Sequence, residues 1–218
     1  CLELLHNMND STPNQASLVE ASGRGGTSGV GINTYFSGGC VFDLGRATER
    51  EPHVPSQQAI TLQRPLVLDH LKMPEWEIGI CVPLDIPHKT DAEEMAFFKR
   101  TCPLPAAAVY ETFYHSIFGF YAAIREANRS TFCQALRAIQ KCAWKQAERL
   151  EYGTRLMEYE QSLYEYGAEA VGMSSLGPSL FFLANDVASV IRQMKEAQPN
   201  CEYLLTRPAN HGRKLLDA

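Results

Sequence analysis

The chain is predicted to be α+β: an antiparallel sheet backed by helices. Three observations predict this. The second half reads strand, several helices, two strands, helix, strand, the alternation expected when helices cover an antiparallel sheet. The first half holds a glycine-dense stretch, Ser22 to Gly39, in which seven of eighteen residues are glycine, set between helix and strand signals. The composition, 218 residues with 45% hydrophobic and 21% charged, is that of an ordinary globular chain long enough to bury a sizeable core.

Each element has its own signal. Leu2, Leu4, Leu5 and Met8 suit the end of a helix. Ser11-Thr-Pro13 restarts a second helix that runs to about Ser22 and stops at Gly23, with a hydroxyl cap and a proline in the first turn. A short helix is predicted from Thr27 to Phe36, capped by Thr27 or Ser28 and ended by Gly38-Gly39. The apolar run Cys40–Leu44 reads as a strand, Gly45–Pro65 as mostly loop with room for one strand, and Leu66–Leu68 as a short strand. Lys72–Glu75 is the expected crossover between domains. Trp76–Val82 alternates and is rich in β-branched residues, hence a strand. Asp91 is expected to cap a helix through Arg100, with Glu93 and Glu94 complementing the helix dipole. Pro105 opens a long helix to about Ala127, whose stripe Val109, Phe113, Ile117, Phe120 and Ile124 has core spacing. Ser130 starts another, with Phe132, Leu136, Ile139 and Ala143 inward. A helix over Tyr152–Gly167 presents Leu156, Tyr159 and Leu163. Strands at Ala168–Met173 and Ser179–Ala184 flank a Ser/Gly turn, Asp186 caps a helix to Ala197, and Cys201–Thr206 is the last strand. The polar tail Arg207–Ala218 is expected to be loose.

Composition excludes several classes of function. A net charge of −5 argues against general nucleic-acid binding, which needs a basic face. No window has the length and apolarity of a membrane span, and no secretory signal opens the chain, so a cytoplasmic protein without a membrane partner is expected. The seven cysteines are scattered without ligand spacing and read as free thiols in a reducing compartment. The six histidines show no ligand spacing either, so no protein metal site is predicted; His88, in the polar loop after the Trp76–Val82 strand, is the one to watch.

The glycine stretch carries the chemistry. So many glycines weaken a packed element and suit a backbone that something approaches closely. Thr27, Ser28 and Arg24 add two hydroxyls and a fixed positive charge, and together with clustered N–H groups they suit an anion, most often a phosphate. A flexible loop or a tight helix-to-strand connection is the plain alternative. The stretch is not a dinucleotide fingerprint, because no clear strand precedes it, and it is not a P-loop, because no Gly-Lys-Ser/Thr occurs in it.

Gly23-Arg-Gly-Gly-Thr-Ser-Gly-Val-Gly31, then Gly38-Gly39, then Val41-Phe-Asp43 resembles the signature of the β-ribofuranosylaminobenzene 5′-phosphate synthases, of the GHMP kinase superfamily. Far downstream, Gly172-Met-Ser-Ser-Leu-Gly-Pro178 resembles that family's form of the third superfamily motif, although without the family it reads as a plain hairpin turn. The resemblance covers most of the chain and is loose over the middle helices. It implies a GHMP-kinase-like fold: residues 1–72 as the end of the first domain and 73–218 as the second, a split β-α-β arrangement. The chain begins at Cys1, and the resemblance implies a C-terminal fragment of a longer parent, inactive alone.

The implied reaction joins 4-aminobenzoate to phosphoribosyl pyrophosphate with loss of CO2 and pyrophosphate, in methanopterin-type one-carbon cofactor biosynthesis. It implies Mg²⁺ with the phosphates, and a homodimer is the default for such an enzyme. Arg24, Gly25, Gly26, Thr27, Ser28 and Gly29 are the candidates for the phosphates, with Arg24 and Asp43 as the catalytic pair. Asp43 would orient a metal or a ribose hydroxyl; a strand-end acid paired with an arginine is the alternative. Ser174, Ser175 and Gly177 would close the site from the second domain. Kinases of the superfamily carry a catalytic aspartate in Ser-Gly-x-Asp; here Ser28-Gly-Val-Gly31 has glycine instead, which disfavours phosphotransfer. The synthases usually continue Gly-Gly-His after Asp43, whereas this chain has Leu44-Gly-Arg46, so a role carried by that histidine would pass to Arg46 or be lost. An ATP-dependent small-molecule kinase and a catalytically silent binding domain remain the alternatives.

Overall fold

The structure, a computed structural model, describes residues 15–22, 29–45 and 66–214. The helix end at Cys1–Asn9, the cap at Ser11–Pro13 and the loop between Arg46 and Pro65 lie outside the described residues. The chain divides into two units, Cys1–Met73 with Ala209–Ala218, and Pro74–Pro208.

In the first unit, α1 (Gln15–Ala21) buries Leu18 and Val19. Helix α2 (Val30–Ser37) starts one or two residues later than the hydroxyls predicted: its N-cap is Gly29, which has no side chain to cap it. It stops at Gly38, whose φ is +70°. A Cβ there would collide with the backbone of His211, so the stop needs glycine for its conformation and for its space. Strand β1 (Cys40–Gly45) then pairs antiparallel with β2 (Leu66–Leu71), Cys40 opposite Leu71. From Ala209 to Arg213 the tail is not loose. Gly39 donates its N–H to the Ala209 carbonyl, and Arg213 donates to the Tyr35 carbonyl. The Asn210 carboxamide accepts from the Met73 N–H and donates to its carbonyl, both at 2.8 Å. These polar groups find backbone partners, which no hydrophobic periodicity announces.

The second unit is the predicted sheet. Strands β3 (Ile78–Pro83), β4 (Ala168–Met173), β5 (Leu180–Ala184) and β6 (Cys201–Thr206) stand in the order β4-β5-β3-β6, every neighbouring pair antiparallel. That is the split β-α-β order, with β3 central. Helix α3 (Asp91–Thr101) begins one residue earlier in register than expected: Thr90 is the cap, in a capping box with Glu93. The long helix is α4 (Ala106–Tyr114), a π-helical segment (His115–Tyr121) and α5 (Ala122–Arg125). Its predicted stripe does not all turn inward: Ile124 is buried, but Val109 and Phe113 are exposed, alongside Tyr110, Tyr114 and Phe118.

Helix α6 (Arg129–Ile139) is capped by Asn128, not Ser130, and buries Phe132, Leu136 and Ile139. Ala143 is exposed and opens α7 (Ala143–Leu150). Helix α8 (Gly153–Glu165) buries Leu156, Tyr159 and Leu163 as expected, and α9 (Val187–Ala197) is capped by Asp186. One core gathers these with Cys81, Val171, Leu180, Phe182, Val187 and Met194. Each such side chain contributes about 1.5–3 kcal/mol when fully buried. Leu136 of α6 reaches the other side of β4, where Gly172 has no room for a Cβ beside the Phe181 ring. Helices therefore cover both faces of the sheet. Cys81, Cys133, Cys142 and Cys201 are free and buried. Among the described residues no helix is long and apolar enough to cross a membrane.

Candidate active site

The residues singled out for chemistry lie in both units. Arg24, Gly25, Gly26, Thr27 and Ser28 lie outside the described residues; Gly29 and Asp43 are in the first unit, and Ser174, Ser175 and Gly177 in the second.

In the first unit the chain runs helix, two glycines, strand, and this brings β1 back along α2. Gly29 is buried, and its N–H donates to Oδ2 of Asp43 at 2.5 Å. The Asn33 side chain and backbone both donate to the Gly29 carbonyl at 2.8 Å, which fixes the first turn. Asp43 thus places a negative charge at a helix N-terminus, where the macrodipole favours it. Gly31 is exposed in that first turn and offers no side chain. At the other end, Nε2 of His70 lies 2.6 Å from the Gly38 carbonyl, joining β2 to the helix stop.

In the second unit Ser174–Pro178 is the turn of the β4–β5 hairpin, the plainer of the two sequence readings for its backbone. Its conformation is special. Ser175 has φ +49° and Gly177 φ +82°, and a Cβ on Gly177 would press on Met173 and the Tyr152 ring. The Ser174 N–H donates to the Ser179 carbonyl and the Gly177 N–H to the Ser174 carbonyl. The turn is also held from behind by side chains that sequence reasoning missed. Nζ of Lys145 donates to the Ser175 carbonyl at 2.7 Å and to Oε2 of Glu148 at 2.6 Å. The Tyr152 hydroxyl donates to the Leu176 carbonyl at 2.5 Å. Ser174 and Ser175 are exposed, two hydroxyls that can donate to an anion.

The holding charges are themselves buried, Lys145 4% and Glu148 6% exposed. Burial pushes the Lys145 ammonium down and the Glu148 carboxyl up, and their attraction opposes both shifts. The Tyr152 phenol is pushed up to about 12 by burial and the nearby carboxylates, so it stays a donor at neutral pH. The available signal was the i, i+3 pairing of Lys145 with Glu148, but such pairs usually mark a solvated face. Just after β3, the Tyr159 hydroxyl and Arg155 both donate to Asp85 at 2.8 Å. Burial works against the Asp85 charge, but these two partners outweigh it and hold the carboxyl below its usual range. His88 is exposed in the same loop. No three His, Cys, Asp or Glu side chains gather as a metal site among the described residues.

No family model matches the chain. It is 29% identical over 201 residues to the β-ribofuranosylphenol 5′-phosphate synthase of Archaeoglobus fulgidus, covering 89% of this chain and 62% of that protein. It is 28% identical over 170 residues to the protein of that name from Methanothermobacter thermautotrophicus, covering 78% and 52%. With that of Methanocaldococcus jannaschii the figures are 23% over 211 residues, 93% and 62%. The chain thus spans between about half and 62% of the length of these relatives. Among solved structures, the homoserine kinase of Cytophaga hutchinsonii matches with a TM-score of 0.54 at 14% identity, over 84% of this chain and 51% of that one. A Listeria monocytogenes structure described as homoserine kinase also gives 0.54, at 13% identity, over 97% and 64%. The fold is GHMP-kinase-like, as the glycine motifs implied, and the resemblance to the synthases extends along most of the chain.

Proposed function

We propose that the protein is a β-ribofuranosylaminobenzene 5′-phosphate synthase. It joins 4-aminobenzoate to phosphoribosyl pyrophosphate and releases CO2 and pyrophosphate. The observation that carries the reading is the likeness to three synthases over most of the chain, with both glycine motifs present. The relatives' names speak of a phenol product, so 4-hydroxybenzoate is the second acceptor to try.

The ring carbon that bears the carboxylate attacks C1 of the ribose as the C1–oxygen bond to pyrophosphate breaks. The electron pair of the carboxylate carbon bond then returns to the ring and CO2 leaves. Little covalent work falls to the protein, and positioning with charge neutralisation carries the catalysis. Arg24 and the amides and hydroxyls of Gly25–Gly29 are proposed to hold the phosphates. Asp43 already takes the Gly29 amide, so a phosphate arriving there meets a carboxylate and is best accommodated with a cation between them. Mg²⁺ takes one or two carboxylates plus substrate phosphates, so Asp43 is the residue that would hold it. When bound, the ion would neutralise charge on the leaving pyrophosphate. Ser174 and Ser175 are proposed to donate to the substrate from the held turn. Gly31 supplies no acid for phosphotransfer, which counts against a kinase.

The test is release of labelled CO2 from carboxyl-labelled 4-aminobenzoate or 4-hydroxybenzoate, with phosphoribosyl pyrophosphate and Mg²⁺. Release is expected, with a loss of at least about a hundredfold in Arg24→Ala, the scale seen when one transition-state charge donor is removed. ATP-dependent phosphorylation of a small alcohol with no CO2 release would replace this reading with the kinase one.

A further inference from the structure

A cavity lies within the second unit, away from the turn at Ser174–Pro178 in sequence and built by different side chains. It encloses about 380 Å³ between the end of α6, the turn that follows it, α7 and α8. That volume is at the lower end for small-molecule sites.

Its chemistry is unbalanced. Arg137, Lys141 and Arg149 line it, against one carboxylate, Glu160. Arg149 is 5% exposed; its Nη1 donates to the Gln140 carbonyl and its Nη2 to Glu160, both at 2.9 Å. Its Nε has no acceptor among the described residues. Gln140 is also 5% exposed: its Oε1 accepts from the Met173 N–H, and its amide nitrogen donates to nothing among the described residues. Arg137 donates to a carbonyl, that of Glu169, and not to an anion. A buried donor without an acceptor, as at Arg149 Nε, is costly, and one resident carboxylate cannot serve three cations. Burial moreover pushes the Glu160 carboxyl up, Arg149 opposing, which weakens it as a counter-charge. Met157 and the ring of Tyr164 supply an apolar wall.

We propose that this cavity binds a small organic anion, a carboxylate on an apolar or aromatic body. The guanidinium groups and the Gln140 amide take the carboxylate, as forked donors suit its two oxygens. Met157 and Tyr164 cover the body. The proposal does not depend on the synthase reading. Bound anion would draw on Gln140, which also holds the end of β4 through Met173.

The test is NMR of the full chain carrying ¹³C-methyl methionine, with the Met157 methyl assigned by Met157→Leu. Benzoate, neutral benzamide and inorganic phosphate are titrated separately. Benzoate should shift the Met157 signal saturably, and benzamide should not. Binding should weaken at least about tenfold in Arg137→Ala/Lys141→Ala, whose side chains are more exposed than that of Arg149. No Met157 shift with benzoate, equal response to benzamide, undiminished binding in the double variant, or a response to phosphate alone would each overturn the proposal. A shift confined to other methionines would place benzoate elsewhere and overturn it too.

Discussion

Lys145 shows how much rests on one side chain at the hairpin turn. Its ammonium meets Glu148, the Ser175 carbonyl and, at 3.4 Å, the Met173 carbonyl. Lys145→Met leaves the Glu148 carboxyl buried without its cation, and should cost about 3 kcal/mol in urea unfolding. Adding Glu148→Leu should recover most of that loss; no recovery would mean the cost lies in the freed turn carbonyl. Asp85 has the opposite shift. Its folded pKa lies below the usual 3.8, so its contribution is present above that value and is lost as pH falls through the folded one. Asp85→Asn should lower stability at neutral pH and flatten the acid limb of the stability curve below about pH 4. At this scale the sequence was half legible. Ser174, Ser175 and Gly177 announced themselves by turn chemistry. Lys145 did not, because a lysine on a helix ordinarily faces water, and only the tertiary position of α7 puts it inside.

At the scale of elements, the strands of the second unit were legible because alternation and β-branched runs coincide with their turns. The caps were less so. Thr90 in place of Asp91, and Asn128 in place of Ser130, differ by one or two residues, since several hydroxyl or carboxamide side chains compete for each helix end. The long helix from Ala106 to Arg125 misled in another way. Its periodicity gave a stripe, yet Val109 is 47% and Phe113 51% exposed, because period reports a helix and not which face finds a neighbour. The turn from α to π geometry at His115–Tyr121 also rotates the later stripe relative to the earlier one. Close approach at Gly172 can be tested directly. Gly172→Ala sets a Cβ against the Phe181 ring and near Leu136, and should cost about 1–3 kcal/mol by thermal or urea unfolding. An unchanged midpoint would show that the ring swings aside freely.

For the whole molecule, the glycine motifs and the order of strands led to the fold, and the split β-α-β order followed. The returning tail was illegible: Asn210 acts through backbone groups of Met73, and a carboxamide in a polar segment gives no pattern. One consequence follows for the second unit. Ile78 and Thr206 are register partners, so the first and last strands of Pro74–Pro208 leave the sheet side by side. A short linker between those ends would close that unit into a ring. The ring could then be reopened at the exposed junction of Gly153, where an added Cβ meets nothing within 4 Å. Which strand comes first is therefore an accident of where the chain is cut, and a circular permutant would keep every ladder it has now.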